Sequence, residues 1–226
     1  VFGAFKAGVV MVSVNWRLAL PEIVYIVNDA RCELLCVGAE YYGLVAELLA
    51  QCPSLRGVVA MDGGLDGHPA FDAWRDAQPA TDPMLSLAPD ADVVQLYTSG
   101  TTGHPKGVQL TTANYLAFFH SAERAEWADF RPGEVNLACM PVFHVAGLNM
   151  GIITIAQGST SVVMKEVDPH QILDFIPRYR INNAFFVPAV LLFMLQHPKI
   201  GETDLSSLQR LYYGASPIAE DLLVRA

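Results

Sequence analysis

Short apolar runs alternate with amphipathic stretches along most of this 226-residue chain, and that rhythm limits the fold more than any other feature. Residues 9–14, 34–37, 57–61, 92–98, 134–140, 161–164, 183–187 and 208–213 are short and rich in β-branched or aromatic side chains, as buried strands are. Between them, residues 21–29, 41–51, 111–127, 147–156, 169–179, 189–196 and 217–225 carry helical spacing. Residues 107–110 form a further strand, returning from the one at 92–98. Strands alternating with helices build βαβ units, which hold parallel sheets between layers of helix. The expected fold class is α/β, with two subdomains of mainly parallel β-sheet flanked by helices. Composition agrees. Apolar residues make up 52% of the chain and charged residues 16%, against about 45–50% and about 25% in ordinary soluble domains. Strands buried on both faces, or a piece cut from a larger packed body, explain the surplus.

Residues 62–89 interrupt the rhythm with Pro69, Pro79, Pro83, Pro89 and the turn-forming Asp62-Gly63-Gly64. This places a first subdomain over 1–80, a linker over 81–91 and a second subdomain over 92–226. The chain opens and closes inside apolar helical patterns, so the first subdomain is expected to be incomplete at its start and the second at its end.

Lys and Arg number 14 against 23 Asp and Glu, a net charge of −9. No basic stripe is available to neutralise phosphate backbones, which excludes a nucleic-acid partner. Cys32, Cys36, Cys52 and Cys139 form no C-x-x-C pair, and no histidine stands at zinc-finger spacing from them. They read as free thiols of a cytoplasmic protein. The longest stretch without Asp, Glu, Lys or Arg, residues 135–164, is broken by Asn136, Pro141, His144, Asn149 and Gln157. No transmembrane segment is expected from it.

The most informative segment is YTSGTTGHPKGV, residues 97–108. Thr98, Ser99, Thr101 and Thr102 place four hydroxyls within five residues. Gly100, Gly103 and Gly107 let the backbone approach a ligand closely, and successive amides in such a turn make an anion nest. Lys106 adds one compact cation suited to phosphate. No carboxylate lies between Asp92 and Glu123. Together these groups point to a polyphosphate. A Walker loop is excluded, because that pattern needs Gly-Lys followed by Ser or Thr at a helix start. Here Pro105 precedes Lys106, so the lysine belongs on a strand. The plainer alternative is a surface turn that is rich in Gly and Thr for turn reasons alone.

This segment resembles the phosphate loop of the adenylate-forming superfamily, which includes acyl-CoA synthetases, 4-coumarate-CoA ligases, firefly luciferases and peptide-synthetase adenylation domains. Three further blocks resemble that family in the same order. They are Val14-Asn15-Trp16-Arg17-Leu18 with Glu22-Ile23, then Pro141-Val142-Phe143-His144-Val145-Ala146-Gly147, then Tyr213-Gly214-Ala215-Ser216-Pro217. The resemblance implies part of the large N-terminal domain of an adenylate-forming enzyme, most like a fatty acyl-CoA ligase. It implies ATP with Mg²⁺ as the nucleotide, a fatty acid or other apolar carboxylate as substrate, and coenzyme A as acyl acceptor. It assigns Thr98, Ser99, Gly100, Thr101, Thr102, Gly103 and Lys106 to the phosphates, with Lys106, Thr102 and His144 as catalytic candidates. His144 is implied to wall the acyl pocket, and Gly214, Ala215 and Ser216 to line the adenine. It also brings the Thr101 and Thr102 hydroxyls towards the metal, whose ligands stay unknown. The family's later Thr-Glu block, ribose aspartate and catalytic lysine are not in residues 217–226, so this stretch alone is expected to have negligible ligase turnover.

Each assignment has a plainer counterpart. A histidine after Phe143 can be a core residue, and Ser216-Pro217 can simply cap a helix. Phe185, Phe186, Leu191, Leu192, Phe193, Met194 and Met150 can be core or can line an apolar acyl tunnel. No aspartate for a substrate amine appears in residues 185–196, which favours a hydrocarbon over an amino acid. His104, His120, His170 and His197 read as loop or surface residues, and Asp168-Pro169 as a helix start. Alternatives to the ligase are an acyl-AMP ligase, a peptide-synthetase adenylation domain, a non-catalytic nucleotide-binding module and, more remotely, a luciferase-type oxygenase.

Overall fold

A computed structural model describes residues 1–100, 103–124 and 130–226. The chain divides into two compact units, Val1–Tyr115 and Leu116–Ala226. That division falls well past the linker expected over 81–91, and strand pairing explains why. Strand β1 (Met11–Ser13) pairs in parallel with β4 (Asp92–Thr98), which pairs antiparallel with β5 (Lys106–Thr111). Hydrogen bonds from residues 11–13 thus hold β4 and β5 in the first unit.

The first unit also contains a two-stranded parallel sheet of β2 (Leu34–Val37) and β3 (Gly57–Ala60). Helix α1 (Phe2–Ala7) precedes β1, and α2 (Leu20–Asp29) follows it. Helix α2 starts with Pro21 in its first turn, while the Glu22 carboxylate accepts from the Ala19 amide at 2.9 Å. Ile23 and Val27 of α2 pack with Leu48, Cys52 and Leu55. The helix expected over 41–51 is two elements, a 3-10 helix at Ala39–Leu44 and α3 at Val45–Gln51. The segment expected to be loop contains one short helix, α4 (Phe71–Asp76), between its prolines.

Helix α5 (Thr112–Arg124) begins immediately after β5. Thr111 caps it: the Asn114 amide donates to Thr111 Oγ1 at 3.3 Å, and Asn114 Oδ1 accepts from the Thr111 amide at 2.9 Å. Thr112 instead donates its hydroxyl to the Ala91 carbonyl.

The second unit is built on four parallel strands in the order β7-β6-β8-β9: Thr160–Val163, Val135–Ala138, Asn183–Phe186 and Arg210–Tyr213. Helices α6 (Val145–Ala156), α7 (Pro169–Tyr179) and α8 (Pro188–Gln196) connect them, and α9 (Glu220–Arg225) follows β9. Helix α9 starts later than expected, with Ala219 and not Ser216 at its cap. Asp168 caps α7 as expected, accepting from the His170 amide at 2.9 Å. From β6 the chain steps to β7 on one side, then crosses to β8 on the other. The order therefore reverses between β6 and β8, the place where α/β sheets open a crevice beyond their carboxyl ends.

Alternation along β8 separates two cores. Ala184 and Phe186 face α7 and α8, meeting Ile172, Ile176, Leu191 and Met194. Phe185 faces the other way and joins Tyr212, Phe118, Met150 and Ile153. Among the described residues no helix is long and apolar enough to cross a membrane.

At the amino ends of these strands, Glu134 accepts two hydrogen bonds from Arg210 at 2.9 and 3.1 Å and one from Asn183 at 3.0 Å. Burial pushes the Glu134 carboxyl up, but donation from Asn183, the Arg131 amide and Arg210 outweighs it and holds the carboxyl below its usual range. A lowered carboxyl stabilises the fold at neutral pH, and that stabilisation disappears as pH falls through the lowered value. Replacing Arg210 with Met should cost about 2 kcal/mol near neutrality. The stability gap between the parent chain and Glu134→Gln should narrow as denaturation is repeated from about pH 7 towards about pH 3; a gap of constant size would contradict the assignment.

Candidate functional site

The phosphate-loop candidates join β4 to β5 in the first unit. Thr98 ends β4 and Lys106 begins β5, the two facing each other in the antiparallel register. Lys106 therefore lies on a strand, as Pro105 requires. It is exposed, as are Thr98 and Ser99. Gly100 sits so close to the far limb that a Cβ there would stand 2.0 Å from the His104 carbonyl oxygen. No side chain fits that gap. Gly103 takes φ +103, in the region that favours glycine. Thr101 and Thr102 lie outside the described residues.

The loop's limbs are fixed from below. Tyr97 donates its hydroxyl to Asp29 Oδ2 at 2.6 Å and accepts from Gln95 Nε2 at 3.0 Å. Burial, and then the Asp29 carboxylate beside it, push the Tyr97 phenol far above its ordinary value, so it stays a donor at any physiological pH. On the other limb, Tyr25 donates to the Pro105 carbonyl at 3.2 Å, and its ring stacks on His104 with centroids 4.9 Å apart.

The second unit holds a cavity of about 490 Å³. Val145, Ala146, Asn149 and Met150 line it from α6, Phe185 from β8, Leu211, Tyr212 and Tyr213 from β9, and Phe118 from α5. The volume lies within the range of small-molecule sites, and a mostly apolar wall with a few polar groups is their usual composition. Among the described residues the wall contains no acidic side chain.

His144 occupies the cap position of α6, one residue before the lining begins. Its imidazole is exposed, with its ring against Phe143 at 4.6 Å between centroids. It is not itself a lining residue. The helix start is held against the strand end by Gly147, where a Cβ would meet the Pro141 and Met140 carbonyl oxygens at 2.3 and 2.4 Å. Gly214, Ala215 and Ser216 follow the lining residue Tyr213 directly. Ala215 is left-handed, at φ +67, which strains an alanine by about 1–2 kcal/mol.

Of the residues weighed as core or tunnel lining, Phe185 and Met150 line the cavity. Phe186, Leu191 and Met194 are in the opposite core, and Phe193 is 57% exposed. Phe118, Asn149, Leu211 and Tyr212 went unrecognised in the sequence. Asn149 did leave a signal, as a polar residue four positions after Val145 in a helix otherwise apolar except for Thr154.

A family model described as AMP-binding enzyme matches residues 1–226. The chain belongs to that family. It is 38% identical over 225 residues to a fatty acid–[acyl-carrier-protein] ligase, ScoC, of Streptomyces coeruleorubidus, covering 98% of this chain and 42% of the relative. It is 33% identical to the long-chain-fatty-acid–CoA ligase FadD13 of Mycobacterium tuberculosis, covering 98% and 43%. The inhibitor-bound N-terminal domain of FACL13 from the same organism superposes with a TM-score of 0.85 at 29% identity, over 99% of this chain and 55% of that one. The chain thus spans less than half the length of the curated relatives it matches. The α/β architecture expected for part of an adenylate-forming N-terminal domain is the one observed.

Two glycines of α6 provide a test of the strand-end geometry. Gly147→Ala should overpack the Pro141 carbonyl, cost about 2–3 kcal/mol and lower Tm by roughly 5–10 °C. Gly151→Ala, where the added Cβ meets nothing within 4 Å, should leave Tm unchanged or raise it. Equal effects on thermal melts would show that Gly147 is not a contact point.

Proposed function

We propose that this chain carries the phosphate loop and acyl-pocket part of an ATP-dependent ligase that activates an apolar carboxylate as its acyl-adenylate. The observation that supports this most is the loop itself. Gly100 lies against the His104 carbonyl, Thr98 and Ser99 are exposed, and Lys106 is exposed at the head of β5. Donors and one cation gathered on a fixed backbone are what a triphosphate tail requires.

In the first step a carboxylate oxygen bonds to the α-phosphorus, and the bond from that phosphorus to the bridging oxygen breaks. Pyrophosphate leaves with the electron pair. Lys106 and the loop amides would hold the β- and γ-phosphates and stabilise the charge that grows on the leaving group. Thr101 and Thr102 share this proposed role. Magnesium enters with the nucleotide, whose phosphates supply ligands of their own. Among the described residues no cluster of three or more His, Cys, Asp or Glu side chains is arranged to hold a metal ion.

The cavity beside α6 suits the carboxylate's tail. Val145, Ala146, Met150, Phe185 and Leu211 offer an apolar wall, and among the described residues no acidic group lines it to hold a substrate amine. This favours a fatty or other apolar acid over an amino acid. His144, at the α6 cap, and Gly214, Ala215 and Ser216, after Tyr213, are the candidates for contact with the carboxyl group and the adenine. In the second step a thiol attacks the acyl carbon, forming a thioester and releasing AMP. Coenzyme A is the proposed acceptor. A second reading, the phosphopantetheine thiol of an acyl carrier protein, draws support from the 38% identity to a carrier-protein ligase.

Calorimetry tests the nucleotide part. The chain should bind ATP, and Lys106→Ala should weaken binding by tenfold or more, about 1.4 kcal/mol. Equal affinity in the variant would refute the assignment. In the whole protein, pyrophosphate exchange should depend on aliphatic acids and not on amino acids, and thioester formation with coenzyme A or with a carrier protein identifies the acceptor.

A further inference from the structure

Helix α2 touches both limbs of the candidate phosphate loop, and it does so from a single face. Tyr25 and Asp29 are four residues apart, so their side chains stand one above the other. Asp29 accepts from Tyr97 at the end of β4, before the loop. Tyr25 donates to the Pro105 carbonyl and stacks on His104, after the loop. The Pro105 carbonyl belongs to the peptide unit that leads into Lys106, so the Tyr25 bond orients the unit from which the lysine side chain springs. Tyr97 in turn lies across Gly107, where a Cβ would come within 3.1 Å of its Cζ and hydroxyl oxygen. The helix is itself anchored, with Ile23, Ile26 and Val27 buried on its other side.

We propose that Tyr25 and Asp29 are positioning residues that set the shape of the phosphate loop, and through it the affinity for the phosphate tail of a nucleotide. This rests on the loop being the phosphate site. Neither residue needs to touch the nucleotide. Proline cannot donate at position 105 and Gly100 tolerates no side chain, so the descending limb has few other means of holding its conformation. The ring of Tyr25 supplies a flat support for His104, and its hydroxyl fixes one carbonyl.

The experiment compares the parent chain with Tyr25→Phe, Tyr25→Leu, Asp29→Ala and Lys106→Ala. ATP and adenosine affinities are measured by calorimetry, and amide exchange at Gly103 and His104 by NMR. Tyr25→Phe keeps the stack and loses only the hydroxyl, so ATP should bind roughly fivefold more weakly. Tyr25→Leu and Asp29→Ala should lose tenfold or more for ATP while adenosine, which has no phosphates, binds as before. Exchange at Gly103 and His104 should quicken in Tyr25→Leu without ATP present. A parallel loss for ATP and adenosine would reduce the helix to a general structural role and overturn the proposal. So would unchanged exchange in Tyr25→Leu, whatever the nucleotide result. If instead Lys106→Ala binds ATP like the parent, it is the phosphate reading that fails, and the amide exchange still decides whether α2 shapes the loop.

Discussion

A carboxylate held at the amino ends of three strands gives the second unit its register. Glu134 precedes β6, Asn183 begins β8 and Arg210 begins β9, and one hydrogen-bonded cluster ties the three together. Asn182 adds to it, accepting from the Val135 amide at 2.8 Å. A slip of one residue in a strand would turn its apolar set to the wrong face, and here it would also strand a partly buried charge. The polar clasp sits at one end of the sheet. The carboxyl ends are left to carry loops, and the cavity opens among residues close to those ends.

The first unit solves a different problem. With Thr98, Ser99, Gly103 and His104 exposed, the loop's limbs bury no core of their own, so their conformation must come from what stands beneath them. Here the support is a helix whose apolar side is already committed to the interior. The result is a segment that combines exposed polar groups with fixed limbs. Such an arrangement suits an anion, because ordering entropy is lost at folding and not at binding.

Much of this architecture was legible in the sequence. The strands at 34–37 and 92–98 and the helix at 169–179 fall where periodicity and Pro-containing starts put them. Pro105 was enough to place Lys106 on a strand. What stayed hidden follows from the physics of alternation. Phe185 and Phe186 look alike in a row of apolar residues, yet successive strand residues point to opposite faces, and only the packing of α6 shows which face holds the cavity. Helix α4 was concealed by the prolines around it, and the short 3-10 helix before α3 by its helical spacing. Proline-rich composition marks a loop over 81–91, whereas the division after Tyr115 follows from the pairing of β1 with β4 across some eighty residues, which leaves no local trace.

The position of Lys106 at the head of a strand has an electrostatic consequence. Loops that bind phosphate at a helix start add the helix's roughly half charge to their side chains. A lysine whose backbone is committed to a ladder opposite Thr98 has no such macroscopic field behind it. Under the proposed phosphate role, anion capture there would depend on short-range amide donors and one exposed lysine on a chain of net charge −9. Mobile counterions screen that kind of grip readily, so under that proposal ionic strength would set how firmly the segment holds a charged guest.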